Sequence, residues 1–209
     1  MTQDSVIFRA YQNKDAKELA HIINDTWKFD EGVDNEKQAE HIGYAYLYLC
    51  MLQADFAQVA EINGHAVGVI LGRTEGKRLH LWIALKEIYH SVPLLMTKAF
   101  RNMKPMFEEY DKSNELLDRM TGVAEKKFDA ELALFIVSKQ ARGRGVGLGL
   151  FQRLNQFFSE QGVEHYYLHT DTACSYAFYE KHGLQRLGEV QTEISYAGVD
   201  HVKMFVYGK

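Results

Sequence analysis

The chain has 209 residues, 24 of them basic and 28 acidic, a formal charge of −4, and 46% hydrophobic content. These values suit one globular domain with a sizeable insertion, and they leave no cationic coat for nucleic acid or for anionic partners in general. Two cysteines without C-x-x-C spacing, Cys50 and Cys174, both in helical patterns, speak against a disulfide framework.

The opening Met1-Thr-Gln-Asp-Ser5 lacks the basic region and long apolar core of an export signal. The longest apolar run, Tyr44 to Leu52, is far below the roughly twenty residues of a spanning helix. A cytoplasmic protein with no membrane partner is expected. Val6 to Tyr11 alternates as a first strand, and Asn13 to Trp27 reads as a helix with an Asn cap and an apolar stripe at Leu19, Ile22 and Ile23. A second helix over roughly Asn35 to Asp55 carries Ile42, Ala45, Leu49, Leu52 and Phe56 on one stripe, with Tyr44, Tyr48 and Met51 beside it. Tyr44 and Tyr48 are core residues on the plain reading. Phe56 to Ile62, Asn63-Gly64, and His65 to Arg73 predict two strands joined by a type I′ turn.

Between Gly76 and Ala130 a largely helical segment intervenes, an insertion at about 77–129. Val92, Met96, Ala99, Met103, Met106 and Tyr110 recur at three and four, followed by Leu116, Leu117 and Met120. Pro93 suits a first helical turn, whereas Pro105 is expected to kink or break the helix near Lys104. Four of the seven methionines lie here, and flexible thioethers suit irregular packing, a pocket wall or an interface.

Glu131-Leu-Ala-Leu-Phe-Ile-Val137 is apolar on both faces, as a central strand should be, apart from the charge at its start. Gln140-Ala-Arg-Gly-Arg-Gly-Val-Gly-Leu-Gly149 follows. Its four alternate glycines, Gly143, Gly145, Gly147 and Gly149, remove every other Cβ and let backbone N–H groups converge on an anion. A helix then starts, with Leu150, Phe151, Leu154, Phe157 and Phe158 on one face and Gly162 as a stop, so its unpaired first N–H groups and dipole add to the charges of Arg142 and Arg144. No G-x-x-x-x-G-K-S/T is present, and Leu148 or Leu150 stands where a dinucleotide G-x-G-x-x-G needs its third glycine.

Arg142-Gly-Arg-Gly145-Val-Gly147 reads as R-x-x-G-x-G and resembles the coenzyme A pyrophosphate loop of the GNAT N-acetyltransferase superfamily. After a strand pattern at Val163 to His169, Thr172-Ala-Cys-Ser-Tyr-Ala-Phe-Tyr179-Glu-Lys-His-Gly183-Leu184 is similar to the second motif of that family, N-x-x-A-x-x-F-Y-x-K-x-G-F. Thr172, Ser175 and Leu184 depart from it, and Thr172 replaces only part of an amide's hydrogen bonding.

The resemblance implies an α/β GNAT fold: a mixed, mostly antiparallel sheet flanked by helices, in a single domain over residues 1–209, with the helical insertion between its third and fourth strands. It implies acetyl transfer from acetyl-CoA to a primary amine in a ternary complex. Arg142, Gly143, Arg144, Gly145, Val146, Gly147 and Leu148 would hold the diphosphate, and Thr172 a further part of the coenzyme. Main-chain groups of Phe135, Ile136 and Val137, freed where the fourth strand bulges and splays from the fifth, would hold the pantetheine arm and stabilise the oxyanion. Tyr179 would protonate the departing thiolate and Glu131 would serve as base, against the plain readings of a packed tyrosine and a solvated or salt-bridged carboxylate.

By the same resemblance the first two helices flank the acceptor, so Tyr44 and Tyr48 have a second reading as pocket wall. The insertion is read as a lid or substrate-selecting subdomain, with homodimerisation as the competing explanation. His165 and His169 share a strand face but lack a third ligand, and no metal is expected. Leu184 to Val190, Thr192 to Tyr196 and His201 to Tyr207 predict closing antiparallel strands, with a turn at Ala197 to Asp200 that the family places beside the acceptor. A small-molecule amine is the preferred acceptor. The alternatives are a non-catalytic acyl-CoA-binding module and acetylation of a protein N-terminus or lysine.

Overall fold

A computed structural model of the chain describes residues 5–29, 33, 35–75, 80–95, 97–125 and 127–209, apart from the side chain of Ala99. The opening residues 1–4, Gly76 and Met96, which entered the sequence reading, lie outside them.

The strands are β1 (Ile7–Ala10), β2 (Phe56–Ile62), β3 (His65–Thr74), β4 (Ala130–Val137), β5 (Tyr166–Asp171), β6 (Gln185–Gln191) and β7 (Lys203–Gly208). They form one sheet in the order β1-β2-β3-β4-β5-β7-β6, in which β4 with β5 is the parallel pair and the other neighbours are antiparallel. The helices are α1 (Ala16–Trp27), α2 (Glu36–Met51), α3 (Leu81–Leu95), α4 (Lys98–Thr121), α5 (Val146–Glu160) and the short α6 (Ala177–Lys181). The mixed sheet and the helical insertion between the third and fourth strands match the expectation.

Two cores hold the layers together. On one face α5 and α6 bring Leu150, Phe151, Leu154, Phe158 and Tyr179 against Ile70, Leu132, Leu168, Phe205 and Tyr207. On the other, α1 and α2 bring Leu19, Ile23, Leu47 and Tyr48 against Val59, Val69, Leu71, Leu134 and Ile136, while Leu117 of α4 packs on Met204 and Val206. The run Met204-Phe-Val-Tyr207 is therefore buried throughout, its alternate side chains entering opposite layers.

Local chemistry explains most boundaries. Asn63 and Gly64 both have positive φ, 54° and 85°, as a type I′ turn requires. Asn35 caps α2 by accepting from Gln38 N at 3.1 Å. The start of the first helix differs from expectation. A 3-10 turn at Asn13–Asp15 precedes α1, and Asp15 reaches back to the Gln12 N–H at 2.8 Å, so Asn13 is not the cap. Leu49 of α2 is exposed rather than on its buried stripe.

The insertion also divides elsewhere than predicted. α3 and α4 part just before Thr97, whose hydroxyl caps α4 by accepting from Phe100 N at 3.1 Å. Pro93 sits in the last turn of α3, and α4 runs on through Pro105. Proline forfeits a single intrahelical N–H, and the rest of the 24-residue helix carries the turn. The segment Thr192 to Tyr196 is not a strand: it belongs to an arm joining β6 to β7 that carries a Tyr196–Val199 bridge and turns at Ala197 and Gly198, both at positive φ. No helix among the described residues is long and apolar enough to cross a membrane.

Candidate active site

The site lies where β4 and β5 part. The two strands pair only through Ala130–Tyr166 and Glu131–Tyr167. Along β3 the register passes from Leu71–Leu134 to Gly72–Leu132, which leaves Ala133 as an extra residue on β4. Such a bulge increases twist and turns a strand away from its neighbour. The gap becomes a cavity of about 460 Å³ lined by residues 132–137, by Arg142, Gly143 and Gly145 to Leu148, and by His169 to Asp171, Ala173 to Ser175, Phe178 and Tyr179.

At one end stands the start of α5. Gly145 is its N-cap residue, and among the described residues no side chain caps the first helical N–H groups. Gly143 and Gly145 take φ of 75° and 76°, a conformation that costs a non-glycine residue roughly 1–2 kcal/mol. A Cβ on Gly147 would approach only Phe135, Phe178 and Val137, at 3.6 Å or more. Open N–H groups, a helix dipole and the exposed Arg142 together make a cradle that fits a diphosphate. Gly149 has a different part. It lies inside α5, and a Cβ there would meet the Phe8 ring at 2.2 Å, so this glycine seats the helix on β1.

Tyr179 is 8% exposed and borders the cavity. Burial raises its phenol well above the ordinary value, so it keeps its proton. Cys174 also borders the cavity, and burial pushes its thiol up to about 12, which makes it a poor nucleophile. Thr172, by contrast, does not line the cavity. Its hydroxyl accepts from Lys203 N at 3.1 Å and its N–H donates to Lys203 O at 3.0 Å, so it is occupied joining β5 to β7. Arg144 is exposed and likewise stands outside the lining. Glu131 lies where β4 and β5 are still paired. It binds Arg73 and accepts from the Tyr167 hydroxyl at 3.1 Å, and it lines neither this cavity nor the one beside it.

That second cavity, about 310 Å³, adjoins the first through Trp27, Tyr46 and Tyr110, which border both. The end of α1 supplies Trp27, Lys28 and Phe29, α4 supplies Met103, Met106, Phe107 and Tyr110, and the β6–β7 arm supplies Ile194 to Ala197. The insertion thus forms a wall of the pocket through α4, while Tyr44 and Tyr48 instead stack around His90 of α3. His169 is held by Asp118 of α4 at 2.8 Å, and among the described residues no group of three or more side chains is arranged to hold a metal ion.

Sequence reasoning passed over Asp171, which is 1% exposed at the junction of the two cavities. Its Oδ1 accepts from Ala173 N at 2.7 Å, and its Oδ2 accepts from the Tyr196 hydroxyl. The signal was available: a charge at the end of an otherwise uncharged strand, the same feature that drew attention to Glu131. Trp27 and Tyr196 carried no comparable mark.

A family profile described as Acetyltransferase (GNAT) domain matches residues 98–207. Among solved structures, an N-acetyltransferase from Staphylococcus aureus is similar at 14% identity and a TM-score of 0.56, covering 98% of each chain. A ribosomal-protein-alanine N-acetyltransferase from Brucella melitensis is similar at 17% identity and a TM-score of 0.56, covering 97% of this chain and 98% of its own. A protein from Pyrococcus horikoshii reaches a TM-score of 0.58 at 14% identity, over 97% of each chain. At these identities the likeness is one of fold. No curated protein matches the chain.

Proposed function

The chain belongs to the GNAT acetyltransferase family, and from that premise we propose that it moves the acetyl group of acetyl-CoA onto the primary amine of a small molecule, by direct attack in a ternary complex. One observation carries the reading: β4 parts from β5 beside the uncapped start of α5, and an aromatic pocket opens off the same gap. The donor supplies an activated thioester.

The chain's own groups do the rest. The N–H groups of Val146, Gly147 and Leu148, with Arg142, bind the diphosphate. Main chain at Phe135, Ile136 and Val137 aligns the pantetheine arm and offers an N–H to the oxygen on which charge develops. Tyr179, kept protonated by burial, gives its proton to the departing sulfur. Glu131, tied to Arg73 and Tyr167 away from both cavities, pins the paired ends of β4 and β5 and is not the base in this scheme. Thr172 and Arg144 have no direct part in it.

The Brucella relative is named for a protein acceptor. Here α4 and the β6–β7 arm wall the acceptor side into a pocket of about 310 Å³, which favours a small molecule over a polypeptide segment lying in an open groove. Titration with coenzyme A followed by thiol release across an amine panel tests the proposal. Saturable binding with turnover supports it, binding without turnover on any amine favours a non-catalytic acyl-CoA-binding module, and no binding refutes both.

A further inference from the structure

We infer that Asp171 and Tyr196 receive the amine end of the acceptor, and that the acceptor is a monoamine with a bulky apolar or aromatic body. This rests on the acetyl-transfer reading above. Among the described residues lining the two cavities, Asp171 is the one carboxylate, and it sits where they adjoin with its Oδ2 held by a tyrosine of the acceptor pocket. Among those described residues, an ammonium group entering from the pocket meets negative charge there.

The pocket beyond is built from Trp27, Phe29, Tyr46, Phe107, Tyr110 and Tyr196, with Met103 and Met106 between them. Aromatic faces and thioethers bind apolar and aromatic bodies, and the described lining gives a second ammonium no carboxylate partner. Lys28 on the same wall repels additional positive charge. A volume near 310 Å³ holds about ten water-sized groups, enough for one or two rings and a short arm. Polyamines and aminoglycoside-like polycations are therefore disfavoured against a monoamine by the charge of Lys28.

The proton balance closes. The acceptor arrives as its ammonium and gives one proton to the Asp171 carboxylate. Its lone pair then forms the C–N bond as the C–S bond breaks. The second proton lost from nitrogen passes to the Tyr179 oxygen, which has given its own proton to sulfur, and Asp171 returns its proton to solvent. Amide and free thiol are the products. Burial raises the Asp171 carboxyl above its ordinary value, although Tyr196 and the backbone at Ala173 pull it back, and a raised value strengthens a base. The other titratable groups around Asp171 among the described residues are Tyr46 of α2, Tyr110 of α4, Tyr179 of α6, Tyr196 and Cys174, with His169, held by Asp118, on the same cavity wall. Burial holds the four tyrosines and the thiol in their neutral forms.

Asp171→Asn and Tyr196→Phe test the inference with acetyl-CoA and a panel of phenethylamine, tryptamine, spermidine and glutamate. The wild type is expected to prefer the aromatic monoamines by at least tenfold in kcat/KM. Asp171→Asn is expected to lose on the order of 100-fold in kcat with coenzyme A binding by calorimetry unchanged. Tyr196→Phe removes a donor to the carboxylate, so the rising limb of its kcat/KM profile should move to higher pH with the same amine. Full turnover by Asp171→Asn, a best substrate with several charges, or an unmoved limb in Tyr196→Phe would overturn it. Should Asp171→Asn not fold, the Tyr196→Phe profile decides. Failure of the wild type to bind coenzyme A would instead remove the underlying acetyl-transfer reading.

A separate observation carries a second inference. Leu81, Leu85, Ile88, Val92 and Leu95 of α3 recur at four and three, flanked by Trp82 and Tyr89, and all seven are 51–78% exposed. The geometry points to α3 as the contact between two copies of this chain, paired antiparallel about Ile88 so that Leu81 meets Leu95 and Leu85 meets Val92. The face offers on the order of 800 Å² per copy, the amount a stable interface buries and more than a monomer usually leaves open. A lipid-binding helix would display cations beside such a face, whereas within Leu81–Leu95 the one Lys or Arg, Lys86, turns back to Asn13 Oδ1 at 2.7 Å.

Sedimentation equilibrium of the wild type should give twice the 24.1 kDa chain mass, and Leu85→Glu with Ile88→Glu should give the single mass with coenzyme A binding retained. A monomeric wild type, a dimeric variant, or cosedimentation of monomer with phosphatidylcholine vesicles would overturn the assignment.

Discussion

Replacing Gly149 by alanine separates the packing role of this glycine from the anion cradle beside it. A Cβ at this position would lie 2.2, 2.8 and 2.9 Å from three atoms of the Phe8 ring, all inside ordinary contact. The ring must withdraw by roughly 1 Å, which takes it off its rotamer and off the Arg153 guanidinium that stacks on it at 3.9 Å. Overpacking of this kind costs about 2 kcal/mol. Alanine in place of glycine within a helix returns about 1 kcal/mol, so the net loss is about 1 kcal/mol, a fall of about 2–4 °C in Tm for a chain of this size. In a Phe8→Ala background the clash is gone and the helix preference acts alone. There, Gly149→Ala should stabilise by about 1 kcal/mol. Urea or thermal unfolding of the four proteins gives the cycle, with a coupling of about 2 kcal/mol, and coenzyme A affinity should be unchanged in each folded variant. If Gly149→Ala changed stability alike in both backgrounds, or weakened coenzyme A binding in both, the assignment to packing would fail.

Tyr179→Phe should lower turnover tenfold or more, about 1.4 kcal/mol, with little change in coenzyme A affinity by calorimetry; equal losses in both would count against an acid role. Asp15 is 2% exposed and receives two bonds of 2.7 Å from the Arg9 guanidinium and one of 2.8 Å from Gln12 N. Burial pushes its carboxyl up, but Arg9 and the Gln12 N–H outweigh that and hold it below the ordinary carboxylate range. Its contribution to stability is therefore complete above the unfolded value near 3.9 and is lost as pH falls through the lower folded value. Asp15→Asn should cost about 3 kcal/mol at neutral pH, and the gap in urea midpoint to wild type should narrow below about pH 4. A gap as wide at pH 2 as at pH 6 would contradict the ion pair.

The parts legible in the chain were those governed by neighbours in sequence. Asn63-Gly64 specifies its turn because both residues need positive φ, and Asn35 specifies a helix start because its side chain reaches an N–H three residues on. Gly143 to Leu148 announces a glycine turn into a helix because glycine spacing and a helix start are local facts. The aromatic pocket was less legible. Trp27, Tyr110 and Tyr196 come from α1, α4 and the β6–β7 arm, and no spacing rule links residues so far apart. Tyr44 and Tyr46 differ by two positions on one helix, yet the first stacks on His90 and the second faces the pocket. Glu131 and Asp171 show the same limit. Each is a charge at the end of a central strand, and only the pairing of β4 with β3 puts one beside Arg73, while its short pairing with β5 leaves the other in the gap.

By itself, then, the sequence determined the order of elements, the long insertion before β4 and the glycine-rich turn that opens α5. Backbone conformation and side-chain period depend on adjacent residues, and those are readable along one dimension. Tertiary structure alone decided that Gly149 supports Phe8 rather than the cradle, that α4 walls the pocket while α3 faces outward, and that Asp171 is the carboxylate at the junction. Each of these depends on which surfaces meet across the sheet, and burial, desolvation and charge pairing are properties of that meeting.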